Sequence, residues 1–241
     1  MKLLILGATG RVGREMVRLA LQDGHDVTAL VRSVEKSEAL LDWLKTTTPC
    51  NATTENESSR HDVLPETNSS LLASVPNLKF AFGDARSRSD VSQAVTGADA
   101  VLCSLNTDGG TVLSESMAVI LDVMRENGIR RIVSIGTAGI LQARSEPHLL
   151  RYRSSETRRT TTAAAEDHER AYRMLASTEN LDWTLVCPTY LPEGAATGHY
   201  RVEREVLPEG GMRITTGDTA VFAYGQLQSE EFLRCRVGIA E

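Results

Sequence analysis

Lys2-Leu-Leu-Ile-Leu6-Gly7-Ala-Thr-Gly10-Arg-Val-Gly13 is the stretch whose reading decides the fold. Residues 2–6 form a short, unbroken apolar run, the pattern of a strand covered on both faces. Val12, Met16, Val17, Ala20 and Leu21 then recur at helical spacing, with Arg14, Glu15, Arg18 and Gln22 between them, and Gly24 stops the helix. The three glycines therefore fall in a strand-to-helix turn. Gly7 lets the chain turn sharply, Gly10 removes a Cβ that would block a pyrophosphate, and Gly13 lets helix and strand pack closely. N–H groups at the helix start face the anion. The spacing is G-x-x-G-x-x-G, and its meaning comes from the strand before it and the helix after it.

The next elements repeat the unit. Asp26-Val-Thr-Ala-Leu-Val31 reads as a second strand, ending at Arg32-Ser33. In a dinucleotide fold a carboxylate here accepts a hydrogen bond from the ribose 2′-hydroxyl. This chain instead carries a guanidinium, then a hydroxyl, with Lys36 one turn on. A planar guanidinium holds a 2′-phosphate with paired charge-assisted bonds, so NADP(H) is expected over NAD(H).

A second helix is expected over about Val34–Leu44. Residues 46–76 are rich in Thr, Ser, Asn and Glu and are expected to be a disordered polar insertion. Leu78–Phe82 reads as strand three, and Asp84 behind it either bonds the adenine amino group or caps the following turn. A helix near Ser89–Val95, a strand over Ala98–Leu105, a loop at Asn106–Gly110 and a long helix ended by Gly128 follow. Arg130–Ile135 is strand five, Ala163–Ser177 a helix and Leu181–Cys187 strand six. Tyr200-Arg-Val and Met212-Arg-Ile read as short strands, Asp218 as the cap of a last helix, and Cys235–Ile239 as the strand that closes the sheet. This alternation demands an α/β, Rossmann-like, doubly wound parallel sheet, in a single domain with a small C-terminal lobe on the substrate side.

Length and composition agree. At 241 residues, with 41% hydrophobic and 24% charged residues, the chain suits one large domain. Its formal net charge of −6 argues against nucleic-acid binding. No apolar run reaches the roughly 20 residues that span a bilayer, and no leader precedes the first strand, so no membrane contact and a cytoplasmic location are expected. Cys50, Cys103, Cys187 and Cys235 show no C-x-x-C pair, so no metal site is expected; Cys103 and Cys187 read as buried thiols. The sequons at Asn51, Asn56 and Asn68 then lie idle.

Gly7-Ala-Thr-Gly-Arg-Val-Gly13, Ala29-Leu-Val-Arg32, Gly83-Asp84, Leu181-Asp-Trp-Thr-Leu-Val and Pro188 through Ala196-Thr-Gly198-His-Tyr200 together resemble the atypical short-chain dehydrogenase/reductases. The similarity is greatest to their NAD(P)H-binding group that includes biliverdin-IXβ reductase/flavin reductase. The resemblance implies cofactor contacts from Thr9, Gly10, Arg11 and Val12, and a 2′-phosphate held by Arg32, Ser33 and Lys36. It places Asp84 and Ala85 at the adenine, Leu105 and Asn106 along the ribose, and Thr137, Pro188, Thr189 and Tyr190 beside the nicotinamide.

The ordinary short-chain dehydrogenase uses Tyr-x-x-x-Lys, whose ammonium lowers the tyrosine pKa for proton transfer. Here Tyr152 is followed by Glu156 and Tyr172 by Ala176, which disfavours carbonyl and epimerase chemistry. The resemblance implies instead hydride transfer to a flavin, quinone or tetrapyrrole-like acceptor, with Thr137, His168 (of the pair Asp167-His168) and Tyr190 as catalytic candidates. The alternatives are an NmrA-like regulator that binds NADP without turnover, or an epimerase or dehydratase. The partner is a small molecule, in a monomer or small homo-oligomer. Residues 142–162 carry five arginines against Glu146 and Glu156. They read either as a solvated loop or as a mobile lid attracting an anionic acceptor.

Overall fold

The computed structural model describes residues 1–47, 75–157 and 161–241. In chain order the elements are β1 Lys2–Leu6, α1 Arg11–Gln22, β2 Asp26–Val31, α2 Val34–Thr47, β3 Leu78–Phe82, α3 Arg88–Ala94, β4 Ala100–Cys103 and α4 Val112–Glu126. They continue with β5 Arg131–Ile135, α5 Ala163–Ser177, β6 Asp182–Pro188, β7 Arg201–Arg204, α6 Thr216–Gly225 and β8 Cys235–Ala240. One eight-stranded sheet has the order β3-β2-β1-β4-β5-β6-β8-β7. Every neighbouring pair is parallel except β7 with β8.

The alternation inside β1 shows why a continuous apolar run makes a central strand. Leu3 and Ile5 enter the core layer under α1, α2 and α6, while Leu4 and Leu6 enter the layer under α3, α4 and α5. Successive strand side chains point to opposite faces, so a strand covered twice must be apolar at every position. The chain winds outward from β1 to β3 and then returns to place β4 on the other side of β1. That reversal opens a crevice at the carboxyl ends of β1 and β4, where open parallel sheets bind ligands.

Several boundaries differ from the sequence reading. Helix α2 runs on to Thr47, and Val75 packs against the core, so the polar insertion is narrower than 46–76; residues 48–74, with Cys50 and the three sequons, lie outside the described residues. Cys235–Ala240 does not close the sheet, because β7 takes the edge and β8 is inserted between β6 and β7. Pairing across 33 or more residues leaves no trace in local periodicity. Met212-Arg-Ile forms only a single bridge, Arg213 to Tyr190. The cap of α6 is Thr215, whose hydroxyl accepts from Asp218 N–H. Asp218 sits in the first turn and accepts from the N–H groups of Thr197 and Gly198, both at 2.8 Å. It thereby binds the Ala196-Thr-Gly198 loop to the helix.

Candidate active site

The glycine turn is built as its spacing requires. Gly7 has φ +74°, and a Cβ there would lie 2.6 Å from the backbone oxygen of Ser104 at the end of β4. A Cβ on Gly13 would lie 2.1 Å from the oxygen of Gly7. Both contacts are impossible, so strand, turn and helix can meet only with glycine at these positions. Gly10 precedes α1 with no side-chain cap and donates its N–H back to Gly7 O at 2.9 Å. The first N–H groups of α1, at Arg11, Val12 and Gly13, have no carbonyl one turn behind them and form the anion-facing end of the helix.

A cavity of about 320 Å³ opens from this turn. Gly7, Thr9, Gly10, Arg32, Lys36, Asp84, Ala85, Leu105 and Asn106 all line it. Four expected contacts do not. The Arg11 guanidinium donates to Leu191 O at 3.1 Å, Val12 and Gly13 are buried beneath the turn, and Ser33 bonds the Glu35 carboxylate at the start of α2.

Asp84 is also differently engaged. Its carboxylate accepts from Arg86 three times: from the backbone N–H at 2.8 Å, from Nε at 3.1 Å and from the terminal NH2 at 2.7 Å. These bonds, with the nearby Arg32 charge adding to them, hold its pKa down to about 2. Its own N–H is accepted by Asp90 on α3, at 2.9 Å. Asp84 thus organises the turn after β3, and Arg86 joins Arg32 and Lys36 as a third cation on the cavity wall. The sequence reading missed Arg86, although its place two residues after Asp84 is that of a local Asp–Arg turn. It also missed Ser104, Asp108 and Ser116, which reach the wall from β4, its loop and α4.

A second cavity, of about 210 Å³, adjoins the first at Asn106, which lines both. Gly136 and Thr137 after β5, Pro188 at the end of β6 with Thr189 and Leu191 beyond it, and His168 on α5 line it. Thr137 caps the short turn Ala138–Ile140, its oxygen accepting from Gly139 N–H at 3.4 Å. Of the Asp167-His168 pair, only His168 (9% exposed) faces this space.

Asp167 is turned the other way and fully buried. It accepts from Leu113 N–H at 3.0 Å, Ser114 N–H at 3.1 Å and the hydroxyls of Ser114 at 2.6 Å and Thr107 at 3.0 Å. Burial alone would raise its pKa, but the bonds outweigh burial, led by Ser114, and hold the carboxyl below the usual range. It therefore pins the start of α4 against α5. Tyr190 corrects an expectation. Its backbone lies beside the second cavity, but it lines neither cavity and is 71% exposed.

The tyrosines without a lysine partner are accounted for. Tyr152 donates to Glu169 and accepts from Arg153 Nε at 2.7 Å; burial first, then Glu169, pushes its pKa up. Tyr172 lies under the Arg236 guanidinium, 4.4 Å from ring centroid to guanidinium carbon, and burial raises its pKa. Neither is poised to deliver a proton in the crevice. The arginine-rich segment is likewise committed to the fold. Arg144 pairs with Glu203, Arg151 with Glu156 at 3.0 Å, and Arg153 with Glu169 at 2.8 Å. Arg158 and Arg159 lie outside the described residues.

A doubly wound sheet with a glycine turn at its reversal point, cations beyond β2 and β3, and a second cavity past β5 and β6 defines a dinucleotide-binding protein. A model of the NAD(P)H-binding family matches residues 7–67 and 65–230, and the chain belongs to that family. The photosystem II assembly factor Ycf39 of Guillardia theta is 49% identical over 43 residues, which cover 18% of this chain and 14% of that protein. Among solved structures, a protein assigned as an NADH-flavin reductase from Streptococcus pneumoniae superposes with a TM-score of 0.71 at 21% identity, covering 100% of this chain and 99% of the other. A short-chain dehydrogenase/reductase from Veillonella parvula in complex with NADP gives 0.66 at 19% identity, covering 100% and 94%. At these identities the structures speak for the fold. Among the described residues no helix is long and apolar enough to cross a membrane, and no cluster of His, Cys, Asp or Glu could hold a metal ion.

Proposed function

We propose that the protein is an NADPH-dependent oxidoreductase that reduces a flavin, a quinone or a tetrapyrrole-like acceptor. The observation that carries the reading is the pairing of two cavities. One is lined by Arg32, Lys36 and Arg86 beyond the glycine turn; the other is lined by Thr137 and His168 and has no tyrosine–lysine pair. Three cations gathered on one wall of a chain with net charge −6 favour a 2′-phosphate over a bare 2′-hydroxyl.

The residues fit the cofactor. Helix α1 starts after Gly10 with no side-chain cap, so its first N–H groups are open to a pyrophosphate, and Arg32, Lys36 and Arg86 line the wall where the extra phosphate would lie. When bound, NADPH supplies the hydride. Helix α1 neutralises the pyrophosphate charge, Pro188 and Thr189 wall the nicotinamide side, and Thr137 places a hydroxyl in the second cavity. The Thr137 oxygen accepts from Gly139 N–H, which leaves its proton free to be donated toward an acceptor. His168 is the proton relay to that acceptor, and Tyr190 is reassigned from catalyst to rim. A conjugated acceptor spreads the incoming charge and needs little acid assistance, which suits a site of this composition. The free, buried Cys103, Cys187 and Cys235 suit a cytoplasmic setting.

The deciding experiment follows NADPH oxidation at 340 nm with FMN, riboflavin, a quinone or biliverdin as acceptor. Acceptor-dependent oxidation is expected, faster with NADPH than with NADH. Tight NADPH binding without turnover on any acceptor would instead identify a redox sensor.

A further inference from the structure

Helix α5 serves two spaces. Ala171 and Leu175 face the core and His168 reaches the second cavity. Glu169, Tyr172, Arg173 and Ala176 recur at i, i+3, i+4 and i+7 and form another stripe along the same helix. That stripe is one wall of a cleft of about 990 Å³, against about 320 Å³ for the dinucleotide cavity. The segment after β5 supplies the other wall through Pro147, Leu149 and Leu150, and Arg236 of β8 lies between them. No residue of this cleft lines the dinucleotide cavity or the second cavity.

Arg236 is out of pattern for its strand. Cys235, Val237 and Ile239 enter the core layer under α1, α2 and α6, so Arg236 points the other way, toward α5. A strand covered on both faces calls for an apolar residue there, yet the position carries a guanidinium only 7% exposed. Its Nε donates to Glu205 at 2.7 Å. A buried, matched ion pair adds little stability, so the fold alone gives no reason for it.

The charge along the cleft is unequal. Arg153, Arg170, Arg173 and Arg236 line it against a single carboxylate, Glu169. Arg236 is met by Glu205 and Arg170 by Asp167, both outside the lining. Glu169 is shared, with Arg153 on one oxygen at 2.8 Å and Arg173 on the other at 2.9 Å and 2.6 Å. One carboxylate cannot neutralise two guanidiniums, so the wall keeps a surplus positive charge. Arg173 is its most exposed bearer, with a side chain 70% exposed. It donates through Nε and Nη2, and its Nη1 has no partner among the described residues. Leu149, Leu150 and Met174, all half-buried, offer apolar surface beside it.

We propose that this cleft is a second ligand site that takes a small organic anion, a carboxylate or phosphate ester carried on an apolar body. The acid group meets Arg173, and the body lies on Leu149, Leu150 and Met174. The volume lies within the roughly 300–1,000 Å³ of small-molecule sites. The site stands apart from the crevice, so it does not depend on which dinucleotide or acceptor binds there.

The probes are 2-naphthoate and 2-naphthyl phosphate, with 2-naphthamide as the uncharged control, titrated calorimetrically in excess NADP. Both acids are expected to bind the native protein more tightly than the amide, and the stronger of the two names the acid group preferred. Arg173→Gln should weaken the acids about two- to fivefold and leave the amide unchanged. Ala176 is exposed on the same stripe, so it accepts either charge without disturbing the core. Ala176→Glu should weaken the acids about two- to fivefold, and Ala176→Lys should strengthen them. Absence of binding by the native protein, acids bound no better than the amide, or equal effects of Ala176→Glu and Ala176→Lys would each overturn the assignment. Self-association in sedimentation that both Ala176 variants abolish would make the cleft a contact between copies, and would overturn it too.

Discussion

At the glycine turn the crevice is held by atoms that are missing; at the acceptor end it is held by side chains that reach across. Gly7 and Gly13 let β1, α1 and the end of β4 approach to distances no other residue permits. The loops past β5 and β6 depend instead on long tethers. Arg11 holds Leu191 O, Arg14 pairs with Glu193, Asp218 gathers Thr197 and Gly198, and Asp167 fixes the start of α4. A backbone-defined site survives wide changes in its surroundings and recognises what every dinucleotide shares. A site built from tethers changes whenever one tether does, which is how one fold comes to accept many substrates.

The sharpest way to break this contrast is Gly13→Ala. The added methyl would meet Gly7 O and Ser104 Oγ at once, and a stability loss of about 3 kcal/mol or more is expected. Chemical denaturation reads it directly. A loss below about 1 kcal/mol would show that the turn relaxes and is not defined by its backbone.

A smaller effect is expected at the rim of the same cavity. Arg32→Asp removes a charge-assisted contact and sets a carboxylate beside Asp84, so NADPH affinity should fall about ten- to hundredfold and the preference turn toward NADH. Equal affinities of the native protein for the two cofactors would remove the 2′-phosphate from the account.

The smallest effect is expected on the acceptor side. Arg151 and Arg153 already pair with Glu156 and Glu169, so neither guanidinium is held ready for an anionic acceptor. Replacing both with alanine should change KM for FMN and riboflavin alike and by less than about threefold. A selective rise for the phosphorylated flavin would restore these arginines as a cationic lid.

Legibility in the sequence follows the same division. The inner strands β1, β4, β5 and β6 were readable because a twice-covered strand is apolar almost throughout, and the glycine turn because its steric demand has one solution. Arg32 and Lys36 were readable from their place after β2. Tyr190 was not, because whether a side chain after a strand turns inward depends on a bridge to Arg213 more than twenty residues away. Asp167 and His168 are adjacent on one helix, yet one faces α4 and the other the cavity, a split that helical geometry allows but only packing decides.

The insertion of β8 between β6 and β7 has a consequence during synthesis. A ribosome delivers the chain from the amino end, and the glycine turn with β1 and β2 emerges first. Strand β7 emerges ahead of β8 and has no edge to join, because its neighbour is Cys235–Ala240. Until those residues leave the exit tunnel, β6 presents an open edge. The strands beside the glycine turn can pair early; the far edge of the sheet waits for β8.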